Sequence, residues 1–202
     1  MVYRIIVFLL IFQSAYAVEF ERNKKDLLHK LYSLGSFKTG DFTLKSGQYS
    51  SLYIDLRGII SCPEILQQLA DCLWQLIDKE KFDVICGVPY AALPVATAIS
   101  LTHKKPMIIK RKEAKNYGTK KLIEGIYNHG DSCLIIEDVI TTGSSILETI
   151  QALEQEGLII NDIVVCVDRE QAGVEAMRSR GYRVHVLFSL SEIINFTNFR
   201  AY

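Results

Sequence analysis

This chain contains the segment Leu134-Ile135-Ile136-Glu137-Asp138-Val139-Ile140-Thr141-Thr142-Gly143-Ser144-Ser145, in which an apolar run leads into two adjacent carboxylates. A short loop of threonine, glycine and serine follows the acids. Apolar residues then recur at helical spacing (Ile146, Leu147, Ile150 and Leu153). The pattern predicts a buried strand that brings two acids to the carboxyl edge of an α/β sheet, where ligands of such sheets bind.

The loop of residues 141–145 is suited to an anion. Its small residues can turn tightly and direct backbone N–H groups at a phosphate, and the helix that follows adds the positive end of its dipole. The two acids suit sugar hydroxyls and a hydrated cation, so a ribose 5-phosphate with a diphosphate on C1 fits both parts. The alternative is an ordinary strand–turn–helix with Ser144 and Ser145 as an N-cap, which leaves Glu137 and Asp138 as costly carboxylates without a purpose.

Outside this segment, short apolar runs alternate with helical stretches. The predicted strands cover residues 84–86, 107–109, 133–136, 163–167 and 184–188, and the helices between them cover 91–101, a stretch from 144 onward and 171–180. Continuous apolar strands alternating with helices predict a doubly wound, mostly parallel sheet flanked by helices.

The region before this alternation is organised differently. A helix is predicted to end at Gly35, a hairpin to pair residues 42–47 with 51–55, and a second helix to begin at Pro63. We expect the first helix and the hairpin to form a small hood over the carboxyl edge of the sheet.

Residues 110–121 form a strongly basic segment with six lysine or arginine residues and no helical or strand period. Such a charge run is usually a solvated surface loop. Beside a phosphate site, however, a mobile cationic loop could close over a diphosphate and stabilise the charge that develops as it leaves.

The composition limits the class of protein. Hydrophobic residues make up 49% of the 202 residues, and 23 basic residues balance 23 acidic ones. A core can therefore form, and the chain has the length of one α/β domain. Because the net charge is zero, no global field attracts nucleic acid.

Residues 1–17 form a leader with a short basic start, an apolar run from Ile5 to Phe12 and an Ala-x-Ala ending. This layout is that of a cleavable secretory signal and is too short for a membrane span. A helix packed on the domain and a wrongly assigned start exon are the alternatives. The predicted domains are thus the leader, 1–17, and one catalytic domain, 18–202.

The five cysteines suggest a compartment different from the one that the leader implies. They lie at positions 62, 72, 86, 133 and 166, without metal-ligand spacing and in odd number. Buried, unpaired cysteines fit a reducing compartment. We therefore predict a cytoplasmic protein, with secretory entry as the alternative.

Taken together, six segments resemble the orotate phosphoribosyltransferases, members of the type I phosphoribosyltransferase family. They are residues 42–47, 53–57, 87–90, 111–119, 134–145 and 168–171. Similarity is greatest to the transferase part of the bifunctional UMP synthases of animals and covers about residues 20 to 195. The resemblance implies the type I phosphoribosyltransferase fold, a homodimer with shared active sites, Mg²⁺, and transfer of phosphoribosyl from phosphoribosyl diphosphate (PRPP) to orotate.

The resemblance also implies roles for individual residues. Glu137 and Asp138 would bind the ribose hydroxyls and organise Mg²⁺, and Lys112, Lys115 and Asp138 would be catalytic. The residues expected to bind PRPP are Lys45, Tyr90, Ala91, Arg111, Lys112, Lys115, Tyr117, Glu137, Asp138, Val139, Ile140, Thr141, Thr142, Gly143, Ser144 and Ser145. Tyr117 stands where several bacterial relatives have histidine, and a phenol is not cationic at neutral pH.

Orotate would contact Tyr53, Ile54, Thr141 and Arg169, with Arg169 on its carboxylate. The alternative for Arg169 is a surface ion pair with Glu170, and for Tyr53 and Ile54 it is a purely structural place in the hairpin. Two other functions remain open: a phosphoribosyltransferase for purine bases, and a non-catalytic regulator that binds PRPP. Whether a separate or fused decarboxylase accompanies the chain is also open.

Overall fold

The computed structural model describes residues 2–43, 49–113 and 122–198. The helices are α1 (Val2–Ser33), α2 (Pro63–Ile77), α3 (Ala92–His103), α4 (Ser144–Gln155), α5 (Gly173–Arg178) and α6 (Leu190–Asn198), and a 3-10 turn covers Arg57–Ser61. The strands are β1 (Phe37–Thr43), β2 (Tyr49–Ile54), β3 (Val84–Gly87), β4 (Met107–Lys110), β5 (Ile123–Glu124), β6 (Ser132–Ile140), β7 (Ile159–Asp168) and β8 (Arg183–Ser189).

Six of these strands form one sheet in the order β5-β4-β3-β6-β7-β8. Every pairing in it is parallel except that of the short edge strand β5 with β4. Because the chain order reverses beside β3 and β6, the carboxyl ends of these two strands flank a topological switch point, where ligands bind in open α/β sheets. The predicted doubly wound, mostly parallel sheet is confirmed.

The sheet is buried on both faces, and alternate residues of β6 show why its strands are continuously apolar. Leu134 and Ile136 pack with residues of α1, α2, α3 and α6 on one face. Ile135 packs on the other face against residues of α4 and α5. All three side chains are fully buried, so β6 is a central strand, and its buried part fixes the position of the acids near its end.

The N-terminal elements agree with most of the sequence prediction. Gly35 follows the end of α1, and Pro63 is the first residue of α2. The first hairpin strand begins at Phe37, five residues earlier than expected, and its register shifts between Thr39 and Phe42. Of the predicted hood, the hairpin touches the carboxyl edge through Arg169, which hydrogen-bonds to β2. α1 packs Leu27 and Leu31 into the core beside α2.

Three features of the fold were missing from the sequence prediction. Strand β5 has only two residues, Ile123–Glu124, and lies within a stretch that was predicted to be irregular. Helix α6 follows β8 directly, without a turn residue between them. Strand β6 continues to Ile140, four residues beyond its predicted end, so the two acids lie inside the strand and not behind it.

All five cysteines are free thiols, and four of them are buried. Burial raises the pKa of Cys72 and of Cys86 to about 11, which keeps both thiols protonated and unreactive at neutral pH. Within residues 2–43, 49–113 and 122–198, no helix combines the length and apolar character needed to cross a membrane.

Candidate active site

A cleft of about 790 Å³ opens at the carboxyl edge of the sheet. One wall is the end of β2 and the segment after it, and the other consists of the loops that follow β6 and β7. The lining residues are Tyr53, Ile54, Asp55, Leu56, Arg57, Asp138, Val139, Thr141, Thr142, Arg169, Glu170, Gln171 and Ala172. The cleft thus joins the hairpin to the two loops in which sequence analysis placed most of the binding residues.

The two adjacent acids serve different parts of this edge. Asp138 lines the large cleft, whereas Glu137 lines a smaller depression formed with Ser144, Ser145 and their neighbours in the loop. Successive side chains of a strand point to opposite faces, so the two acids line different hollows, although their carboxyl groups remain close enough to interact. The edge consequently offers one carboxylate to each of two adjoining hollows.

Glu137 is almost fully buried, and its carboxylate accepts a hydrogen bond of 3.1 Å from the backbone N–H of Asp138. Burial raises the pKa of Glu137 well above its usual value, and the side-chain hydrogen bond and charge of Asp138 raise it further. Among the residues that the structure describes, none forms an ion pair with this carboxyl group. A bound cation or a set of hydroxyl donors would stabilise its charged form.

The loop after β6 leaves the start of α4 without a side-chain cap. Gly143 is the N-cap residue, has a left-handed φ of 80°, and makes no side-chain cap hydrogen bond; the hydroxyls of Thr142 and Ser144 lie 3.1 Å apart. The alternative in which Ser144 and Ser145 form an ordinary N-cap is therefore wrong. Both serines are exposed and, with Val139, Ile140 and Thr141, line the smaller hollow. First-turn N–H groups in such a setting suit an anion.

The loops after β6 and β7 are held together at Gly173. A Cβ atom at this position would collide with the carbonyl oxygen of Thr141 and the side chain of Ile140. The backbone N–H of Arg169 also donates to the Ile140 carbonyl oxygen over 3.0 Å. These contacts bring Thr141 and Arg169 into the same cleft, as the sequence predicted.

Arg169 is buried, with 4% of its surface exposed. Its Nη2 donates to Ser50 Oγ at 3.0 Å and to the Leu52 carbonyl oxygen at 3.2 Å, and burial lowers its pKa. Its Nε is buried without a hydrogen-bond partner among the residues that the structure describes. The alternative of a surface pair with Glu170 is wrong, because the Glu170 carboxylate accepts hydrogen bonds from the N–H and hydroxyl of Ser191.

Tyr53 and Ile54 both line the cleft. Ile54 is 7% exposed and belongs to the core, while the ring of Tyr53 packs 5.4 Å from that of Phe42. The two residues therefore belong to the hairpin and present surface to the cleft at the same time.

The remaining predicted residues lie around the ends of β3 and β4. Tyr90 is 67% exposed, follows a cis peptide bond from Pro89, and has Lys112 Nζ at 5.9 Å from its ring centroid. Ala91 precedes α3, and Arg111 pairs with Glu124 of β5 over 2.8 Å. Lys45, Lys115 and Tyr117 lie outside the described residues.

Sequence analysis missed two kinds of cleft residue. Asp55 and Arg57 follow β2, and the loop 170–172 follows β7 with left-handed backbone at Glu170 and Ala172. An acid and an arginine directly after an apolar strand were the available signal for the first pair. Nothing in the local pattern indicated that residues 55–57 would face the loops of residues 138 and 169.

The structure also contains one group of possible metal ligands among the residues it describes, namely Glu80, Asp162 and His185. Arg183 already occupies this group, with two hydrogen bonds to Asp162 and an ion pair of 3.0 Å to Glu80. Its charge is therefore compensated within the protein. Asp162 is an early residue of β7, remote from the carboxyl edge.

Comparisons with known proteins agree with this architecture. The family model for the phosphoribosyl transferase domain matches residues 59–189, and the chain belongs to that family of transferases. It is 40% identical over 178 residues to the orotate phosphoribosyltransferase of Chlamydia caviae, which covers 87% of this chain and 86% of that protein. The chain is thus a member of the orotate phosphoribosyltransferase group within the family.

A second relative is longer. The uridine 5'-monophosphate synthase of Bos taurus is 54% identical over 170 residues, covering 83% of this chain, but the match spans only 35% of the bovine protein. Among solved structures, orotate phosphoribosyltransferase from Aeropyrum pernix superposes with a TM-score of 0.77 at 30% identity, covering 86% of this chain and 98% of that one. The UMP synthase of Leishmania donovani gives a TM-score of 0.80 at 36% identity, covering 87% of this chain and 38% of that one. The type I phosphoribosyltransferase fold predicted from the sequence is confirmed.

Proposed function

We propose that this chain joins N1 of orotate to C1 of PRPP, forming orotidine 5'-monophosphate and releasing diphosphate. The observation that carries the proposal is that Arg169 and Asp138 line the same cleft. A buried guanidinium suits the carboxylate of orotate, and an acid across the cleft suits the ribose of PRPP. The relatives are named for this reaction, and the cleft contains groups suited to both substrates.

The ribose and its 5-phosphate would occupy the end of the cleft beside β6. Backbone N–H groups of residues 141–145 and the start of α4 would bind the phosphate, with the hydroxyls of Thr141, Thr142, Ser144 and Ser145 as further donors. Asp138 and Glu137 would accept hydrogen bonds from the ribose hydroxyls, and Asp138 would stabilise the positive charge that develops at C1. The segment Val139–Ile140 places these groups at one edge.

Orotate would lie between the hairpin and the loop after β7. Tyr53 and Ile54 would cover its ring, Thr141 would contact its polar edge, and the guanidinium of Arg169 would bind its carboxylate. The buried Nε of Arg169 has no partner within the described part of the chain, so a carboxylate would satisfy a donor that is otherwise costly to bury.

The leaving diphosphate would be neutralised by cations outside the sheet edge. Lys112, Lys115 and Lys45 are the candidates, with Arg111 as a further contact and with Tyr117 as a neutral donor. Tyr90 and Ala91 would present backbone to the same group. The protein mainly orients two substrates and stabilises charge as the C1–O bond breaks, so no covalent intermediate is required.

The acids at the end of β6 fit Mg²⁺. Asp138 lines the cleft, and the buried carboxyl of Glu137 has no cationic partner within the described part of the chain. Magnesium prefers one or two carboxylates together with water and substrate phosphates. When bound, the ion would offset the negative charge of the diphosphate.

The active unit would be a homodimer in which Arg111 and Lys115 reach the partner's site. In support, an apolar groove between α2 and α3 is lined by Leu66, Pro94 and Leu101, and Leu101 is 66% exposed. Light scattering of the purified chain would report its mass in solution directly. A monomeric mass at the concentrations of the assay would contradict the shared site.

The catalytic domain would begin near Val18 and act in the cytosol, where PRPP and orotate are metabolised. From residue 16 onward, where the side chains of α1 are described, Phe20 is the first that packs against the core, and α1 runs without interruption from Val2 to Ser33. Mass spectrometry of the protein made in its own cells would show whether a new N-terminus arises near Val18. That result would also decide between cytosolic function and entry into the secretory route.

An assay with competing bases tests the proposed reaction. Protein begun near Val18 is mixed with PRPP, Mg²⁺ and equal amounts of orotate, adenine, guanine and uracil, and nucleotide products are quantified. Orotidine 5'-monophosphate should dominate, because only orotate carries a carboxylate for Arg169. A purine nucleotide product would favour the purine-base alternative. Tight PRPP binding without release of diphosphate would favour the regulator.

A further inference from the structure

Arg57 is a cation in the cleft to which the proposed reaction has so far assigned no role. It is the first residue of the 3-10 turn after β2 and lines the cleft together with Tyr53 and Asp138. Its side chain is 67% exposed, so the guanidinium remains accessible to a ligand. Among the described residues that line this cleft, Arg57 and Arg169 are the two cations.

The guanidinium of Arg57 is held in a defined place. Its Nε donates to Asp55 Oδ1 at 2.7 Å and its Nη2 donates to Asp55 Oδ2 at 2.8 Å, while the hydroxyl of Tyr53 lies 3.4 Å from Nη2. The backbone N–H of Arg57 also donates to Asp55 Oδ1. This two-point contact fixes the plane of the group and reduces the entropy lost when it binds a ligand.

The contact with Asp55 uses only one edge of the guanidinium. Within the part of the chain that the structure describes, Nη1 makes no hydrogen bond to the protein, although it lies on a side chain that is open to the cleft. An arginine whose purpose was only to close the hairpin would not need to keep a pair of donors exposed at a binding cleft. The arrangement is therefore suited to an oxyanion.

The position of Arg57 indicates which oxyanion. In the proposed reaction Arg169 binds the base and residues 141–145 bind the 5-phosphate, whereas Arg57 lines the cleft beside Tyr53 and Asp138. Asp138 is the ribose acid in the proposed reaction. Of the two anionic groups of PRPP, the diphosphate is the one attached to C1, the carbon to which orotate is joined.

We propose that Arg57 is a substrate-binding residue that donates from Nη1 to the diphosphate of PRPP while Asp55 holds its opposite edge. This inference rests on the proposed function, because it takes PRPP as the sugar substrate. It adds a cation on the hairpin wall to the groups already proposed to bind PRPP. A fixed guanidinium is well suited to a group whose charge increases as it leaves.

The test compares Arg57→Gln with Arg57→Lys by calorimetric titration of the full chain with Mg²⁺–diphosphate and, separately, with orotate. Loss of one charge-assisted contact should weaken diphosphate binding about tenfold in Arg57→Gln. Orotate binding should change less than twofold. The diphosphate affinity of Arg57→Lys should lie between those of the wild type and Arg57→Gln, since lysine keeps the charge but not the planar geometry with two donor edges. The exposed arginine of α1 offers a matched control, Arg22→Gln, which should bind diphosphate as the wild type does.

Two results would overturn the inference. Unchanged diphosphate affinity in Arg57→Gln would show that Arg57 does not contact the diphosphate. An equal loss of affinity for orotate and for diphosphate would indicate a general disturbance of the hairpin. Thermal unfolding of each variant checks that the chain is folded. The proposed function fails separately: a wild-type protein that binds diphosphate but does not consume orotate would refute the reaction and still allow the Arg57 comparison.

Discussion

Arg169 donates from Nη2 to the carbonyl oxygen of Leu52 at 3.2 Å, which joins residues 117 positions apart in the chain. The same nitrogen reaches Ser50 Oγ at 3.0 Å. A residue just past β7 thereby anchors the hairpin that forms the opposite wall of the cleft. Arg169 and the hairpin wall of the cleft are thus parts of one hydrogen-bonded unit.

Replacing Arg169 with glutamine should mainly affect orotate. Glutamine removes the charge offered to the carboxylate, and a charge-assisted hydrogen bond is worth about 1.5–3 kcal/mol, so KM for orotate should rise by one to two orders of magnitude. KM for PRPP should change much less, because we propose that its phosphate binds at residues 141–145. Steady-state kinetics with each substrate varied in turn measures the two KM values separately. Arg180, which is exposed and follows α5, provides the control Arg180→Gln. Equal changes in both KM values would argue against the assignment.

Glu137 should make the ligand-free protein less stable as the pH rises. Its pKa in the folded protein is well above its ordinary value of 4.5. Between these two pKa values the folded state binds more protons than the unfolded state, so the unfolding free energy falls as the pH increases through that window. Glu137→Gln removes this dependence.

At neutral pH, without metal or substrate, Glu137→Gln should unfold about 2–4 °C higher than the wild type, a gain of about 1 kcal/mol. It should also bind PRPP about tenfold more weakly, because a charged acceptor for the ribose hydroxyls is lost. Thermal unfolding across the pH range and calorimetry with PRPP measure the two effects. Exposed Glu148 of α4 gives the control Glu148→Gln, and a variant whose pH profile runs parallel to that of the wild type would disprove the prediction.

Gly143→Ala should disturb the loop of residues 141–145. Gly143 has a φ of 80°, and a Cβ atom there would lie 2.8 Å from Met177 Cε. Strain at such a φ costs about 1–2 kcal/mol, to which the contact with Met177 adds. Affinity for PRPP should fall together with the unfolding free energy measured in urea.

Gly181→Ala is the matched control, because Gly181 has a φ of 94° with nothing within 4 Å of the added Cβ. It should show the backbone strain alone and leave PRPP affinity unchanged. If both variants bind PRPP as the wild type does, residues 141–145 do not hold the 5-phosphate.

Lys115→Ala should slow turnover with almost no effect on stability. Lys115 lies outside the described residues, so this prediction rests on the resemblance of its loop to the orotate phosphoribosyltransferases. Loss of one preorganised charge at a leaving group typically raises the barrier by about 3–4 kcal/mol. Rapid-quench measurement of orotidine 5'-monophosphate formation reports the step. Exposed Lys79, at the end of α2, gives the control Lys79→Ala, and unaltered turnover with unaltered melting in Lys115→Ala would refute the role.

Local patterns were enough to predict most of the sheet and much of the site. The strands of continuous valine, isoleucine and leucine are readable because both faces of a central parallel strand are buried. Pro63 and Gly35 marked helix ends for reasons of backbone geometry alone. Strand β5 could not be predicted in this way, because two residues acquire their strand conformation only through pairing with β4.

The different surroundings of Glu137 and Asp138 show what the sequence could not predict at the site itself. Sequence analysis placed Glu137 and Asp138 together behind a strand that ended at Ile136. Pairing with β7 extends β6 through both residues, opposite Val165 and its neighbours. Alternation along the strand then sends one carboxylate to the phosphate loop and the other to the large cleft. Which face each acid would serve depended on the neighbouring strand.

The sequence by itself determined most of the strands and helices in their order, but not β5 or α6. It also determined the acids near the end of β6, the small-residue loop and the place of Arg169 just past a strand. Each of these follows from side-chain periodicity or backbone preference within a few residues. Only the tertiary structure decided that Arg169 is buried against the hairpin, that Glu137 is desolvated and that Asp55 and Arg57 face Asp138. Burial, pKa and the far wall of a cleft arise from residues that meet only when the chain is packed, so no local pattern contains them.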